Sequence, residues 1–293
     1  WQLRIDLDGI KQMLAEPEAD CTAEAPRLTI SVTRLEQLSP ALLELGCPAR
    51  VYIPLEEVSR LESLPGEGPE WCAVLPRVWR DRDEPALRTL LEWARALGFT
   101  GVLIGNLGHL PLVRGLNFHL YGDYGLNVFN SRSLAYLKDK ELESACVSFE
   151  LRFAQIRDLK KVLRAEAIVY GRLPLMITEN CLVQNETGCR LDRQGPCVPE
   201  DGPCRCGQPN VLVDRTGAAF PLLPAYGHRT EIQNSKPLYL ADRPEHRRLG
   251  LAYARLRFTT ETAEECVSVV QNYLDAAPAA GDFTRGLYER GVE

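Results

Sequence analysis

Five of the ten cysteines of this chain, Cys181, Cys189, Cys197, Cys204 and Cys206, fall within twenty-six residues of a stretch rich in Gly and Pro. Such a stretch buries little apolar surface, so something other than a hydrophobic core must hold it. Thiolates gathered on a loop suit a soft metal or an iron-sulfur cluster. Seven residues separate Cys181 from Cys189 and again Cys189 from Cys197, and one lies between Cys204 and Cys206. This is neither the paired CxxC spacing of zinc modules nor the ferredoxin run, so spacing leaves zinc and a 4Fe-4S cluster both open. Unligated or partly oxidised cysteines, including a disulfide knot, are the competing account. Other catalytic machinery is hard to find: there is no HExxH and no GxSxG, and the histidines are four, His109, His119, His228 and His246. Cys146, on an apolar strand, reads as packing rather than as a nucleophile.

The elements that position these residues are legible in the pattern. The chain has 293 residues, 45% hydrophobic and 25% charged, enough for one large α/β domain or two smaller ones. From Leu28 to Ile177, short β-rich runs alternate with helical spacing: LTISV (28 to 32), RVYIPL (50 to 55), CAVLPRV (72 to 78), GVLIGN (101 to 106), FHLYGD (118 to 123), CVSFEL (146 to 151) and AIVYGR (167 to 172). These units predict an α/β fold, a (βα) TIM-like barrel or part of one, with a Cys-rich loop and a small appended β-rich unit. Asp83 and Pro85 open a helix that Gly98 closes, and Thr262 with Glu265 forms a capping box for a helix carrying Cys266 on its core face. A basic run from Arg152 to Arg164 reads as a solvated helix face. VLVDRTG (211 to 217) and FPLLPAY (220 to 226) predict a hairpin turning at Thr216 and Gly217. The expected organisation is a barrel-like domain over 1–178, a Cys-rich insertion with its hairpin over 179–232, and a strand and helix over 233–293 that complete the domain.

In a barrel, functional groups gather at the C-terminal ends of the strands, where Asn106, Asp123, Glu150 and Arg172 fall. Arg172 would clamp a carboxylate or phosphate, and Glu179, close to the cysteines, would serve as acid or base. A net charge of -6 argues against a broad positive field for nucleic acid, leaving room for a local patch. No apolar run reaches the ~18 residues of a membrane span, so no membrane partner is expected and the cytoplasm is the default compartment. The chain opens on Trp1 rather than Met, which suggests that an N-terminal domain of a longer protein precedes it.

The motifs GDYGLNVFNS (122 to 131), YGRLPLM (170 to 176), ENC (179 to 181), LVDRTGAAFPL (212 to 222), EIQNSKPLYLAD (231 to 242) and FTRGLYERGV (283 to 292), in this order, resemble the collagenase-like peptidases of family U32, specifically the C-terminal half of the long members. The resemblance covers about residues 25–293. It implies either a peptidase, as the family label says, or a protein like its better understood members, which support oxygen-independent hydroxylation of RNA or of a small aromatic substrate and hold a 4Fe-4S cluster on four cysteines. A third possibility is a non-catalytic scaffold for an absent N-terminal domain. Carried onto this sequence, the resemblance makes Cys181 the firmest ligand, then Cys189, then Cys206 with Cys204 able to substitute. The place of the fourth family cysteine is held by His228, and a neutral imidazole is also a ligand for iron.

Overall fold

The computed structural model describes residues 25–46, 48–187 and 208–291. Its strands, in chain order, are β1 (Arg27–Ser31), β2 (Arg50–Pro54), β3 (Glu70–Val74), β4 (Gly101–Ile104), β5 (His119–Gly122), β6 (Leu142–Cys146), β7 (Arg164–Gly171), β8 (Pro174–Thr178), β9 (Asn210–Val213), β10 (Ala219–Ala225), β11 (Arg229–Gln233), β12 (Leu238–Tyr239) and β13 (Tyr253–Arg257). The helices are α1 (Pro40–Gly46), α2 (Leu55–Val58), α3 (Glu84–Leu97), α4 (His109–Val113), α5 (Ser131–Asp139), α6 (Phe153–Asp158), α7 (Leu182–Thr187) and α8 (Ala263–Leu274).

Strands β1 to β7 pair in parallel in chain order, and β13 lies parallel between β7 and β1, closing a barrel of eight parallel strands. The closing strand therefore arrives from the far end of the chain. Its sequence YARLR shows how such a strand is built: side chains alternate sides of a strand, so Ala254 and Leu256 face the surrounding helices while Tyr253, Arg255 and Arg257 point inward. In β2 the same alternation puts Val51 and Ile53 outward and Arg50 and Tyr52 inward.

Between β7 and β13 the chain leaves the barrel to build a second, antiparallel sheet in the order β8-β11-β10-β9. The exit turns on Gly171, whose φ is +119° and whose absent Cβ would stand 2.0 Å from the Arg257 carbonyl oxygen. Only glycine tolerates both conditions. The β9–β10 hairpin turns where the sequence indicates, with Asp214 Oδ1 accepting from the Thr216 and Ala218 N–H groups and Gly217 at positive φ.

Both helices with clear end signals form as expected. Gly98 caps α3 in the left-handed region, and the Thr262 and Glu265 side chains each accept from the other's backbone N–H at the start of α8. Cys266 is buried on its core side. Two expectations are corrected. The sixth barrel strand is LESAC (142 to 146), and CVSFEL begins where that strand ends: Ser148 N–H donates to Val128 O and Leu151 N–H to Ser148 O, turning the chain. The alternation of Val147, Phe149 and Leu151 imitates a strand because all three pack on the core around this turn. The basic run is not one helix either, since α6 stops at Asp158. The buried Lys161 ammonium donates to the carbonyls of Ile156 (2.6 Å), Leu159 (3.1 Å) and Arg157 (3.3 Å), satisfying groups that a longer helix would have used itself.

Candidate active site

The barrel interior is polar where barrels of this kind are commonly filled by branched aliphatic side chains. Arg255, 1% exposed, donates to Asp123 at 2.5 Å and to Glu166, and its guanidinium lies 4.5 Å from the Tyr52 ring centroid. Glu166 also accepts from Thr29 (2.5 Å) and Tyr52 (3.2 Å), so one carboxylate ties β1, β2, β7 and β13 together across the lumen. Burial works against the Arg255 charge, yet Glu166 and Asp123 hold its pKa well above the ordinary value. A layer below, Arg50 pairs with Glu70 (2.9 Å), Ser144 (2.8 Å) and Tyr253 (3.1 Å), with the Tyr121 ring against its guanidinium.

At the C-terminal mouth the inserted sheet forms a roof. Strand β11 presents Arg229, Glu231 and Gln233 to the barrel and Thr230 and Ile232 to the other side. Glu231 accepts from Arg77 (2.7 Å), Gln233 (2.8 Å) and Arg257 (3.1 Å). Burial pushes its pKa up, but Arg257 and Arg77 outweigh this and leave it below the usual carboxylate range. At the rim, Arg229 and Arg80 both hold Glu179 at 3.0 Å. Arg172 donates to the carbonyls of Asn234 (3.1 Å) and Ser235, while its own carbonyl accepts from Arg257 (2.6 Å). Five arginines thus surround two carboxylates, a mouth suited to an anionic group.

Of the residues expected at the strand ends, the structure gathers Arg172 and Glu179 around the β11 roof and sets Asp123 beneath it, bound to Arg255. Glu150 is exposed on the turn after β6, where its own N–H donates to Ser148 Oγ. Asn106 sits on the loop after β4 and donates from its amide to the Arg77 carbonyl (3.1 Å). Glu231, Arg77, Arg229, Arg255 and Arg257 escape a reading by hydrophobicity. For all but Arg77 the signal is a polar or charged side chain at every second position of a strand-like run, RTEIQ and YARLR.

The loops after β3 and β4 are pinned by His109. Gly105 N–H donates to its Nδ1 (3.1 Å), which sets the proton on Nε2, facing Pro76 O at 3.1 Å. Burial drives its pKa down to about 4. The native state therefore holds a neutral imidazole where the unfolded chain, with a pKa near 6.5, takes up a proton. Stability from this residue is complete above pH ~6.5 and is lost as pH falls toward ~4, by about 3 kcal/mol in all. His109→Gln should flatten this part of the acid limb in melting temperature against pH. Parallel curves for the two proteins would refute the assignment.

Cys181 lies on the other face of β11 from the barrel. It immediately precedes α7, packs with Val183, Leu222 and Ile232, and its Sγ accepts from the Gln184 N–H at 3.4 Å. Leu182 N–H binds Thr230 Oγ1 (3.0 Å), holding α7 to the sheet. His228 stands in the β10–β11 turn at φ +59°, next to Gly227 at φ +72°. Cys189, Cys197, Cys204 and Cys206 lie outside the described residues. Among the described residues no group of three or more His, Cys, Asp or Glu is arranged to hold a metal ion. Cys181 is buried at the head of α7, with a backbone N–H directed at its sulfur.

A closed (βα) barrel whose seventh and eighth strands are separated by an antiparallel sheet defines the class of protein. The chain belongs to peptidase family U32, whose sequence profile matches residues 64–209. Among solved structures, the U32 peptidase Mk0906 is 9% identical with a TM-score of 0.45, over 85% of this chain and 98% of that one. Thiamine phosphate pyrophosphorylase from Pyrococcus furiosus is 8% identical with a TM-score of 0.38, over 85% of this chain and 95% of that one. No curated protein matches the sequence. Among the described residues no helix is long and apolar enough to cross a membrane.

Glu231 joins roof to barrel, so Glu231→Gln, which keeps the shape and removes the charge, should cost roughly 3 kcal/mol by leaving Arg257 short of its counter-charge. Hydrogen exchange should accelerate in β10 and β11 before it does in β1 to β4. Uniform acceleration throughout the chain would show that the ion pair is not the hinge between the two sheets.

Proposed function

We propose that this U32 chain is an iron-sulfur protein that supports oxygen-independent hydroxylation, or a related modification, of RNA or a small aromatic substrate. The observation that carries this reading is Cys181, held at the start of α7 with the Gln184 N–H on its sulfur, at the head of a sequence segment with four further cysteines. In the proposed site Cys181, Cys189 and Cys206 hold the cluster, with Cys204 as an alternative and His228 as the fourth ligand. A bound 4Fe-4S cluster supplies one-electron transfer. Zinc is the alternative for the same thiolates.

The chain's own contribution is positional. The arginines at the mouth hold an anionic group, Glu231 keeps Arg77 and Arg257 directed inward, and Glu179 stands at the boundary between the mouth and the Cys181 face with its charge shared by Arg80 and Arg229. In this reading Arg172, Glu179, Asp123 and Glu150 are the barrel-end groups that orient substrate, Asp123 acting through Arg255. A reducing compartment, the cytoplasm, suits free thiols of this kind.

Anaerobic purification followed by metal analysis and visible absorption tests the reading: brown protein with about four irons per chain is expected. Colourless, iron-free protein from that preparation would sink it, and stoichiometric zinc would substitute the alternative. Gelatin hydrolysis that persists in Cys181→Ala would identify a peptidase instead.

A further inference from the structure

The inserted sheet that roofs the mouth is joined to the barrel on one side and held to it by ion pairs on the other. Both crossings, residues 171–173 on the way out and 234–237 on the way back, leave the barrel beside β7, because β12 returns along that strand with Leu238 opposite Gly171. They are tied to each other. Asn234 N–H donates to Leu173 O (2.8 Å), and Arg172 donates to the carbonyls of Asn234 (3.1 Å) and Ser235. In the closed ring of strands, β3 stands opposite β7. The loop after β3 meets the sheet from across the mouth: Arg77 pairs with Glu231 (2.7 Å), Arg80 pairs with Glu179 (3.0 Å), and Val78 O accepts from Arg229 (3.4 Å).

The sheet and the barrel do not share a core. Cys181, Val183, Leu222 and Ile232 form a cluster of their own, and among the described residues of β8 to β11 and the turns between them only Tyr226 packs against the barrel core. An interface built of ion pairs rather than apolar surface is one along which two units move relative to each other. The pair at the rim is weakly held, since Arg80 is 54% and Glu179 59% exposed, and water and salt screen it. Asp123, Tyr124, Arg255 and Arg257 are buried beneath the sheet, so a substrate reaches them only when the sheet lifts.

We infer that the inserted sheet is a lid, a rigid unit that swings on the paired crossings beside β7 and is latched to the β3 loop through Arg77–Glu231 and Arg80–Glu179. Raised, it admits substrate to the mouth; lowered, it shuts out water. The inference depends neither on the cluster nor on the identity of the substrate.

Tyr124 is the natural reporter. Its ring centroid lies 5.2 Å from the Arg77 guanidinium and 5.9 Å from that of Arg257, and its hydroxyl donates to Glu231 (3.5 Å). Radiolytic hydroxyl-radical footprinting of the full chain measures how often water reaches it. Between ~50 and ~500 mM salt the modification rate of Tyr124 should rise about threefold as the rim pair is screened. Glu179→Gln, which removes the shared partner of Arg80 and Arg229, should show that higher rate already at ~50 mM and little further dependence on salt. Tyr121 in the layer below, and Leu222 and Ile232 inside the sheet, should keep their rates, because the lid moves intact. Asp158→Asn, which breaks an exposed pair on the outside of the barrel, should behave as wild type. A Tyr124 rate that is flat in salt and in Glu179→Gln overturns the proposal. So does a parallel rise at Leu222 and Ile232, which is unfolding of the sheet, a parallel rise at Tyr121, which is loosening of the barrel, or an Asp158→Asn variant that matches Glu179→Gln.

Discussion

Replacing Arg255 with methionine is expected to destabilise the protein by about 3 to 5 kcal/mol at neutral pH, a large part of the ~5 to 15 kcal/mol that holds a domain of this kind together. The guanidinium lies between Asp123 and Glu166 in the closed lumen, and both carboxylates are buried. Methionine fills similar volume, so the loss reports charge rather than a cavity. Buried carboxylates without a counter-charge are costly while ionised and far less so when neutral, so the deficit should shrink as the pH is lowered. Urea denaturation should therefore find Arg255→Met closer to wild type at pH ~5 than at pH ~7.5. Adding Glu166→Gln should recover part of the deficit at the higher pH. A variant within ~1 kcal/mol of wild type at neutral pH would show that the lumen is far better solvated than its burial indicates.

The second large effect concerns the proposed cluster. Cys181→Ala should abolish the brown chromophore and reduce iron from about four to below one per chain, while the fold survives. The side chain is small and, among the described residues, packs with Val183, Leu222 and Ile232 at the start of α7, so its removal should cost on the order of 1 kcal/mol. His228→Cys offers a sharper check of the ligand set. An imidazole on iron raises the reduction potential relative to thiolate, so this variant should keep its cluster and show a lower potential. An unchanged potential and spectrum would remove His228 from the coordination sphere. Full iron in Cys181→Ala would dismiss the cysteine segment as the cluster site.

Much of the fold was legible in local pattern. The alternating units gave the barrel strands to within a few residues, and Gly98, Thr262 with Glu265, and Thr216 with Gly217 end or turn their elements through groups that lie within a few positions of one another. Such signals are readable because the partners are neighbours in sequence. The errors share the opposite cause. CVSFEL looks like a strand because its side chains are buried, and burial there comes from Tyr124 and the core packed around a turn. The Arg152–Arg164 run looks like a helix face until Lys161 is seen bonding backward to close α6.

For the candidate site, the sequence alone determined the family resemblance, the barrel and the cysteine segment, because these depend on residue types in order along the chain. Only the tertiary structure decided that Arg255 from β13 meets Glu166 from β7 and Asp123 after β5, that Glu231 roofs the mouth with Arg77 and Arg257, and that Cys181 faces away from the lumen across β11. A charge inside a closed barrel is stable only where an opposite charge from another strand meets it, and that meeting is set by strand register and closure, quantities that no stretch of sequence contains by itself.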